Sequence, residues 1–200
     1  MKIFTIGYSG FLFREFAGML RENHINAVID VRSSPYSRHF PDYDKENIKY
    51  ALAHQHIYYR SYAREFGARQ DNPAFYTDGI MDFEKFSCSE QFLQGIEKLT
   101  EGMQKGYSFA LMCAEKEPVT CHRAILVAKA FRDRNFQVIH LMPDGNHISQ
   151  NDIDYTLIQK FFPNHNQLSF NSEILSDEEM LKKAYILQNK EIGYKWSDIR

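Results

Sequence analysis

Two hundred residues, 44% hydrophobic and 25% charged, are long enough to bury a sizeable core and suit one domain with room for an appendage. A net charge of −2 with a pI near 6.4 excludes a global pull towards nucleic acid or membrane, so any basic surface has to be local. No run reaches the ~18 apolar residues of a membrane span, the opening MKIFTIGYSG lacks a signal-peptide core, and three cysteines are an odd count that points to a reducing cytoplasm rather than a disulfide framework.

Ile3–Tyr8 reads as a first strand, closed by the Ser9-Gly10 turn. Phe13, Phe16, Ala17 and Leu20 fall at helical spacing, which predicts an amphipathic helix over 12–24. The continuous apolar run Ala27–Val31 suits a strand buried on both faces of a parallel sheet, so the first thirty-odd residues make a βαβ unit. After Arg32 the periodicity stops in SSPYSRHFPDYDKEN, a long loop. A helix near 47–55 and a short strand over Ile57–Tyr62 follow, and 63–86 again reads as irregular. Loops of this length inside a compact domain are usually functional or mobile.

The second half is more regular. Phe92, Ile96, Leu99 and Met103 mark a helix over 89–105, Phe109–Cys113 a buried strand, 121–134 a helix and Phe136–Met142 another strand. A turn and a last core helix end at Pro163. The expected fold is therefore α/β, three layers with a mostly parallel central sheet, formed by residues 1–163. Residues 164–200 read as a polar linker and a C-terminal helix N-capped at Ser176, with Met180, Leu181, Ala184 and Leu187 as its apolar stripe. That helix is expected to pack on the domain or on a second subunit, which places a homodimer among the expected partners.

Parallel sheets gather ligands at the carboxyl ends of their strands. Two sets of reactive residues fall there: Asp30, Arg32, Ser33, Ser34, Ser37, Arg38 and His39 after the second strand, and Cys113, Glu115, Glu117, Cys121, His122 and Arg123 after the strand 109–113. Cys113 and Cys121 beside an arginine and a helix start are placed for thiolate chemistry, with an inert thiol closing a buried strand as the competing reading. Asp30 and Glu115 are candidates for proton transfer. Arg32, Ser33, Arg38, His122 and Arg123 are candidates for holding an anion, and structural ion pairs to Asp30, Glu115 and Glu117 are the alternative. Cys113, Cys121, His122 and His39 are zinc-ligand types, but C-x7-C-H lacks knuckle spacing, so no metal or other cofactor is assigned. Residues 32–69 hold seven Lys/Arg against four Asp/Glu with eight aromatics among them, a pattern that suits nucleic acid or a small aromatic core under the loop.

The segments TIGYSG, IDVRSSPYSRHF and LMCAEKEPVTCHRAILV, followed by VIHL, resemble the bacterial and archaeal family called domain of unknown function 488. The resemblance runs from about Lys2 to Phe162 and into the tail ILSDEEMLKKAYILQNKEIGYK. It implies an α/β fold, and it places Asp30, Arg32, Arg38, Cys113, Glu115, Cys121, His122 and Arg123 at motif positions. A more distant likeness is to rhodanese-like domains, which would imply sulfur transfer through Cys113. The spacing from Cys113 to Arg123, interrupted by Pro118, departs from the short anion loop of that class. The leading expectation is an enzyme acting on an anionic, phosphate-bearing substrate, plausibly a nucleotide or nucleic-acid component, in a crevice between the 30–40 loop and the 113–123 turn. A non-catalytic nucleic-acid-binding module built on 32–69 is the alternative, and sulfur transfer a second one.

Overall fold

A computed structural model of the chain describes residues 1–163 and 175–198. Its strands in chain order are β1 (Lys2–Gly7), β2 (Ala27–Asp30), β3 (Tyr58–Ser61), the short β4 (Tyr76–Thr77) and β5 (Ile80–Met81), β6 (Phe109–Cys113), β7 (Gln137–Leu141) and β8 (His147–Ser149). The helices are α1 (Phe13–Glu22), α2 (Lys45–Ala53), α3 (Ala63–Phe66), α4 (Phe83–Ser87), α5 (Glu90–Gln104), α6 (Lys129–Arg132), α7 (Gln150–Phe161) and α8 (Asp177–Ile192). Six strands form one sheet in the order β3-β2-β6-β1-β7-β8, parallel except for β8 at the edge.

Side chains alternate across a strand, so the central strands divide between two cores. Ala27, Ile29, Leu111 and Cys113 face α5, α6, α7 and α8, whereas Val28, Ala110 and Met112 face Phe16 and Leu20 of α1 and Ile48 and Leu52 of α2. Both faces of β2 and β6 are covered, which is why these runs carry no polar alternation. The expected three-layer α/β fold with a mostly parallel sheet is the one observed.

Several boundaries differ from the expectation. β8 pairs antiparallel with β7 through Ile139–Ser149 and Leu141–His147, although its three residues carry too little pattern to announce a strand. The region 63–86 holds α3, the β4–β5 hairpin and α4, elements of two to five residues that leave no periodicity to read. The helix expected from 121 begins at Arg123, after a tight turn over Pro118–Thr120, and its first six residues, Arg123–Ala128, are wound as a π-helix running into α6. All six are buried, which accounts for their apolar character around the whole circumference.

The linker read from 164 onward lies mostly outside the described residues. α8 is capped reciprocally by Ser176 and Glu179 and packs on its own domain. Gln188 donates to the Val119 carbonyl at 3.0 Å, and Asn189 accepts from Phe83 N and donates to the Met81 carbonyl, each at 2.8 Å. Beyond α8, Met81 N donates to Tyr194 O and Trp196 N to Gly79 O, so the tail lies along the β4–β5 hairpin.

One buried polar chain ties the sheet to the last two helices. Thr5 Oγ1 lies 2.7 Å from His140 Nδ1, and His140 Nε2 lies 3.0 Å from Gln150 Oε1. The Gln150 amide donates to Tyr185 Oη, which donates to Asp154. Burial, with the field of Arg123, lowers His140 from 6.5 to about 4, so the folded protein holds it neutral. The unfolded chain takes up a proton near 6.5 and the folded chain does not until about 4, so this stabilisation is whole above 6.5 and is lost as pH falls to 4. Urea unfolding at both ends of that window should show a loss of roughly 3 kcal/mol in the native protein that His140→Asn lacks.

Candidate functional site

β6 lies between β2 and β1 in the sheet. Both neighbours send their following helices, α2 and α1, to one face, whereas β6 sends the Arg123–Ala128 helix to the other. Such a switch of direction opens a crevice at the carboxyl ends of the strands. The residues after β6 are drawn down into it by Gly7: Tyr8 N bonds Cys113 O and Ser9 N bonds Ala114 O, both at 3.0 Å. A Cβ at Gly7 would lie 1.8 Å from the Glu115 carbonyl oxygen, so only glycine permits this approach. The Pro118–Thr120 turn then doubles the chain back and returns Cys121 and His122 beside Cys113.

The result is a cluster of Cys113, Glu115, Cys121 and His122 whose ligand atoms all lie within 4.8 Å of one another. Glu115 Oε2 is 2.9 Å from each sulfur, and His122 Nδ1 is 3.8 Å from Cys113 Sγ. His122 Nε2 is held 2.9 Å from the Val31 carbonyl, so Nε2 carries a proton and Nδ1 is turned to the sulfurs. The Arg123 backbone N–H points at Cys121 Sγ at 3.4 Å. Cys113, Cys121 and His122 are buried and Glu115 is half-buried, so the carboxylate is the member nearest solvent.

Arg123 is fully buried, and its guanidinium is bonded to the carbonyls of Glu115 and Lys116 while its Nε lacks a partner. A buried cation held by carbonyls alone needs a counter-charge. Cys121 supplies it: burial pushes this thiol up, but the bond from Cys113 and the fields of Arg123 and His122 outweigh burial and bring it well below the ordinary thiol range. Burial, joined by the neighbouring Cys121 and Glu115, holds Cys113 high instead. Glu115 is raised by burial and by the charge on Cys121, and His122 is raised because Cys121 and Glu115 outweigh the effect of burial. The surroundings thus favour the thiolate more at Cys121 than at Cys113.

The set after β2 is brought alongside but does different work. Asp30 is fully buried and Arg32 nearly so, and they form a bidentate ion pair, Nη2–Oδ2 at 2.6 Å and Nε–Oδ1 at 2.9 Å. Tyr59 Oη donates to Asp30 at 2.6 Å, and Arg32 also donates to the Tyr43 carbonyl and lies over the Tyr8 ring at 5.1 Å. Asp30, expected to move protons, therefore faces Arg32 and Tyr59 rather than the thiols. Arg32 and Arg123, expected to hold an anion, are buried, and their terminal guanidinium nitrogens bond protein groups. Arg38 and His39 are exposed on the loop, and His39 stands outside the sulfur cluster.

Ser33 lies in a cleft of about 410 Å³ at the same sheet end, with Ser34 beside it and Arg64, Arg69, Gln70 and Asp71 across from it. Ser33 Oγ accepts from the Arg69 backbone N–H at 2.8 Å. Tyr194 from the tail lies near Arg69 of this cleft and near Glu115 and Cys113 of the cluster. Its ring lies 4.1 Å from the Arg69 guanidinium, and its phenol is raised by burial and by the nearby charge of Glu115, while Arg69 acts the other way. Arg64 and Arg69 belong to the basic stretch 32–69, which was the available signal for them; Tyr194 had none. Of the aromatics in that stretch, Tyr43, Tyr59 and Phe66 are core residues, whereas Tyr36, Tyr50 and Tyr58 are exposed.

Among the described residues no helix is long and apolar enough to cross a membrane. No curated protein and no solved structure matches the chain. A family model does, over residues 13–130, from α1 through the sulfur cluster into α6. The chain belongs to the family described as domain of unknown function DUF488.

Proposed function

We propose that this protein is an enzyme acting on an anionic, phosphate-bearing substrate, of the size of a nucleotide or a nucleic-acid component. The observation that carries the reading is the single cluster of two thiols, a carboxylate and an imidazole at a sheet switch point, beside a cleft lined by Arg64 and Arg69. Structural cysteines are usually inert and surrounded by apolar groups; here two of them share one carboxylate and face an oriented imidazole. Arg64, Arg69, Ser33 and Ser34 supply donors for phosphate oxygens, a role the internally bonded Arg32 and Arg123 are not free to fill. Glu115, the half-buried member, is placed to move a proton between the cluster and a substrate in the cleft.

Turnover of a panel of phosphorylated nucleosides and sugars tests the reading. Arg64→Ala and Arg69→Ala should each raise KM about 10- to 100-fold, the worth of a hydrogen bond to a charged group, with kcat changed less. Turnover that leaves KM unmoved in both variants removes the cleft from the account. Tyr36, Tyr50 and Tyr58 offer exposed rings for a stacking surface instead. Binding of single strands that survives both substitutions would favour that second reading.

A further inference from the structure

We infer that Cys113, Cys121 and His122 form a binding site for a thiophilic divalent cation of the zinc class, with Glu115 at the fourth position. The inference goes beyond the proposed activity and does not depend on which substrate the cleft takes. It revises the sequence reading, which assigned no metal because C-x7-C-H lacks knuckle spacing. The Pro118–Thr120 turn folds that spacing shut and makes neighbours of side chains that the linear pattern keeps apart.

Three observations carry it. The first is geometry. With zinc–sulfur bonds of about 2.3 Å and zinc–nitrogen bonds of about 2.0–2.1 Å, tetrahedral ligand atoms lie roughly 3.5–3.8 Å apart. His122 Nδ1 is 3.8 Å from Cys113 Sγ, and the four ligand atoms lie within 4.8 Å of one another. Among the described residues no other group of His, Cys, Asp and Glu side chains meets that condition.

The second is the orientation of the imidazole. Metal-bound histidines almost always give their other ring N–H to a carbonyl or carboxylate, which fixes the tautomer. His122 does this through Nε2 and the Val31 carbonyl at 2.9 Å, which leaves Nδ1, turned to the sulfurs, as the nitrogen to bind a cation. Nδ1 lies 3.8 Å from Cys113 Sγ, so the ring presents this nitrogen to the sulfur side of the cluster.

The third is charge. Two thiolates and one carboxylate are balanced by one buried arginine and one divalent cation, so the loaded site is neutral. Two thiolates with one imidazole select zinc-like ions over magnesium or calcium. The three buried side chains close one side, and half-buried Glu115 faces the Tyr194 and Arg69 side. Cys113, Cys121, His122 and Glu115 then make up the four ligands of a tetrahedral site. On binding, the proton that Cys113 still holds leaves to solvent as its sulfur–metal bond forms, so no oxidation or reduction is involved.

The test is metal content and ligand spectroscopy on the full chain. Protein made in zinc-supplemented medium and purified without chelator should carry close to one zinc per chain by elemental analysis. Replacement by Co²⁺ should give the intense d–d bands of a four-coordinate ion and thiolate-to-cobalt charge-transfer absorption. Cys113→Ser, Cys121→Ser and His122→Ala should each weaken zinc binding by more than ~100-fold, beyond what loss of an outer-shell partner causes. Cys88→Ala, which removes the exposed cysteine outside the cluster, should bind as the native protein does. Because a ligand variant can fail to fold, the native protein alone decides the matter. No zinc at purification, together with a Co²⁺ spectrum lacking charge-transfer bands, overturns the inference. That result would leave turnover by a metal-free thiol centre untouched, and a loaded site without turnover would remove the proposed activity and keep the metal.

Discussion

Asp30→Ala is expected to destabilise the fold by about 3–5 kcal/mol, the cost of leaving one member of a buried ion pair without its partner. Asp30 is fully buried and Arg32 is 5% exposed. The carboxylate also accepts from the Arg32 backbone N–H at 3.0 Å and from Tyr59, so its removal orphans one donor just after β2 and one on β3. Tyr59→Phe removes one of these bonds and should cost about 1–2 kcal/mol. Replacing both charges, as in Asp30→Ala with Arg32→Met, should recover more than half of the single-variant loss, since an apolar pair needs no counter-charge. Urea unfolding measures all three. A single-variant loss below about 1 kcal/mol would mean that the pair is hydrated and does not hold the β2 end in place.

Gly7→Ala should cost about 4 kcal/mol or more, a size reserved for a few named mechanisms. The added Cβ would meet the Glu115 carbonyl oxygen at 1.8 Å, its carbon at 2.8 Å and Arg123 Nη1 at 2.9 Å. Two of those atoms are backbone, so a side-chain rotation does not relieve the clash; the 114–117 loop has to lift. Glu115 would move with it, which couples this position to the cluster as well as to stability. Gly18→Ala in α1 is the control, with nothing within 4 Å of the new Cβ. It should be neutral or stabilising by up to about 1 kcal/mol, the helix-propensity gain. Equal effects at the two positions would show that the loop does not rest on β1.

The sheet was readable because its inner strands obey one rule. Ala27–Asp30 and Phe109–Cys113 are buried on both sides, so they appear as unbroken apolar runs. β8 obeys no such rule: its placement comes from pairing with β7, a tertiary fact carried by three half-polar residues. The elements between α3 and α4 are too short for any period to repeat. In the site, Cys113, Glu115, Cys121 and His122 could be named from their types and from the position after a buried strand. Their union could not, because it depends on the Pro118–Thr120 turn and on the space left by Gly7.

The arginines show a different limit. Arg32 and Arg123 sit where anion-binding arginines sit, but Asp30 takes the first and inward-turned loop carbonyls take the second. Residue type fixes the charge of a side chain, not the group it meets. Arg64 and Arg69, which do face the cleft, carried no mark beyond membership of a basic stretch. Tyr194 reaches the site only because α8 docks through Gln188 and Asn189.

The central claim is that the cluster beside the cleft is a chemical centre rather than a structural knot, and Glu115→Gln isolates it. The substitution keeps the size and leaves the fold's ion pairs untouched while removing the carboxylate. Steady-state turnover of the best phosphorylated substrate should fall about 10²- to 10⁴-fold, the worth of a positioned acid or base, with the unfolding midpoint within a few degrees of the native protein. Undiminished turnover by a folded Glu115→Gln protein would contradict the account.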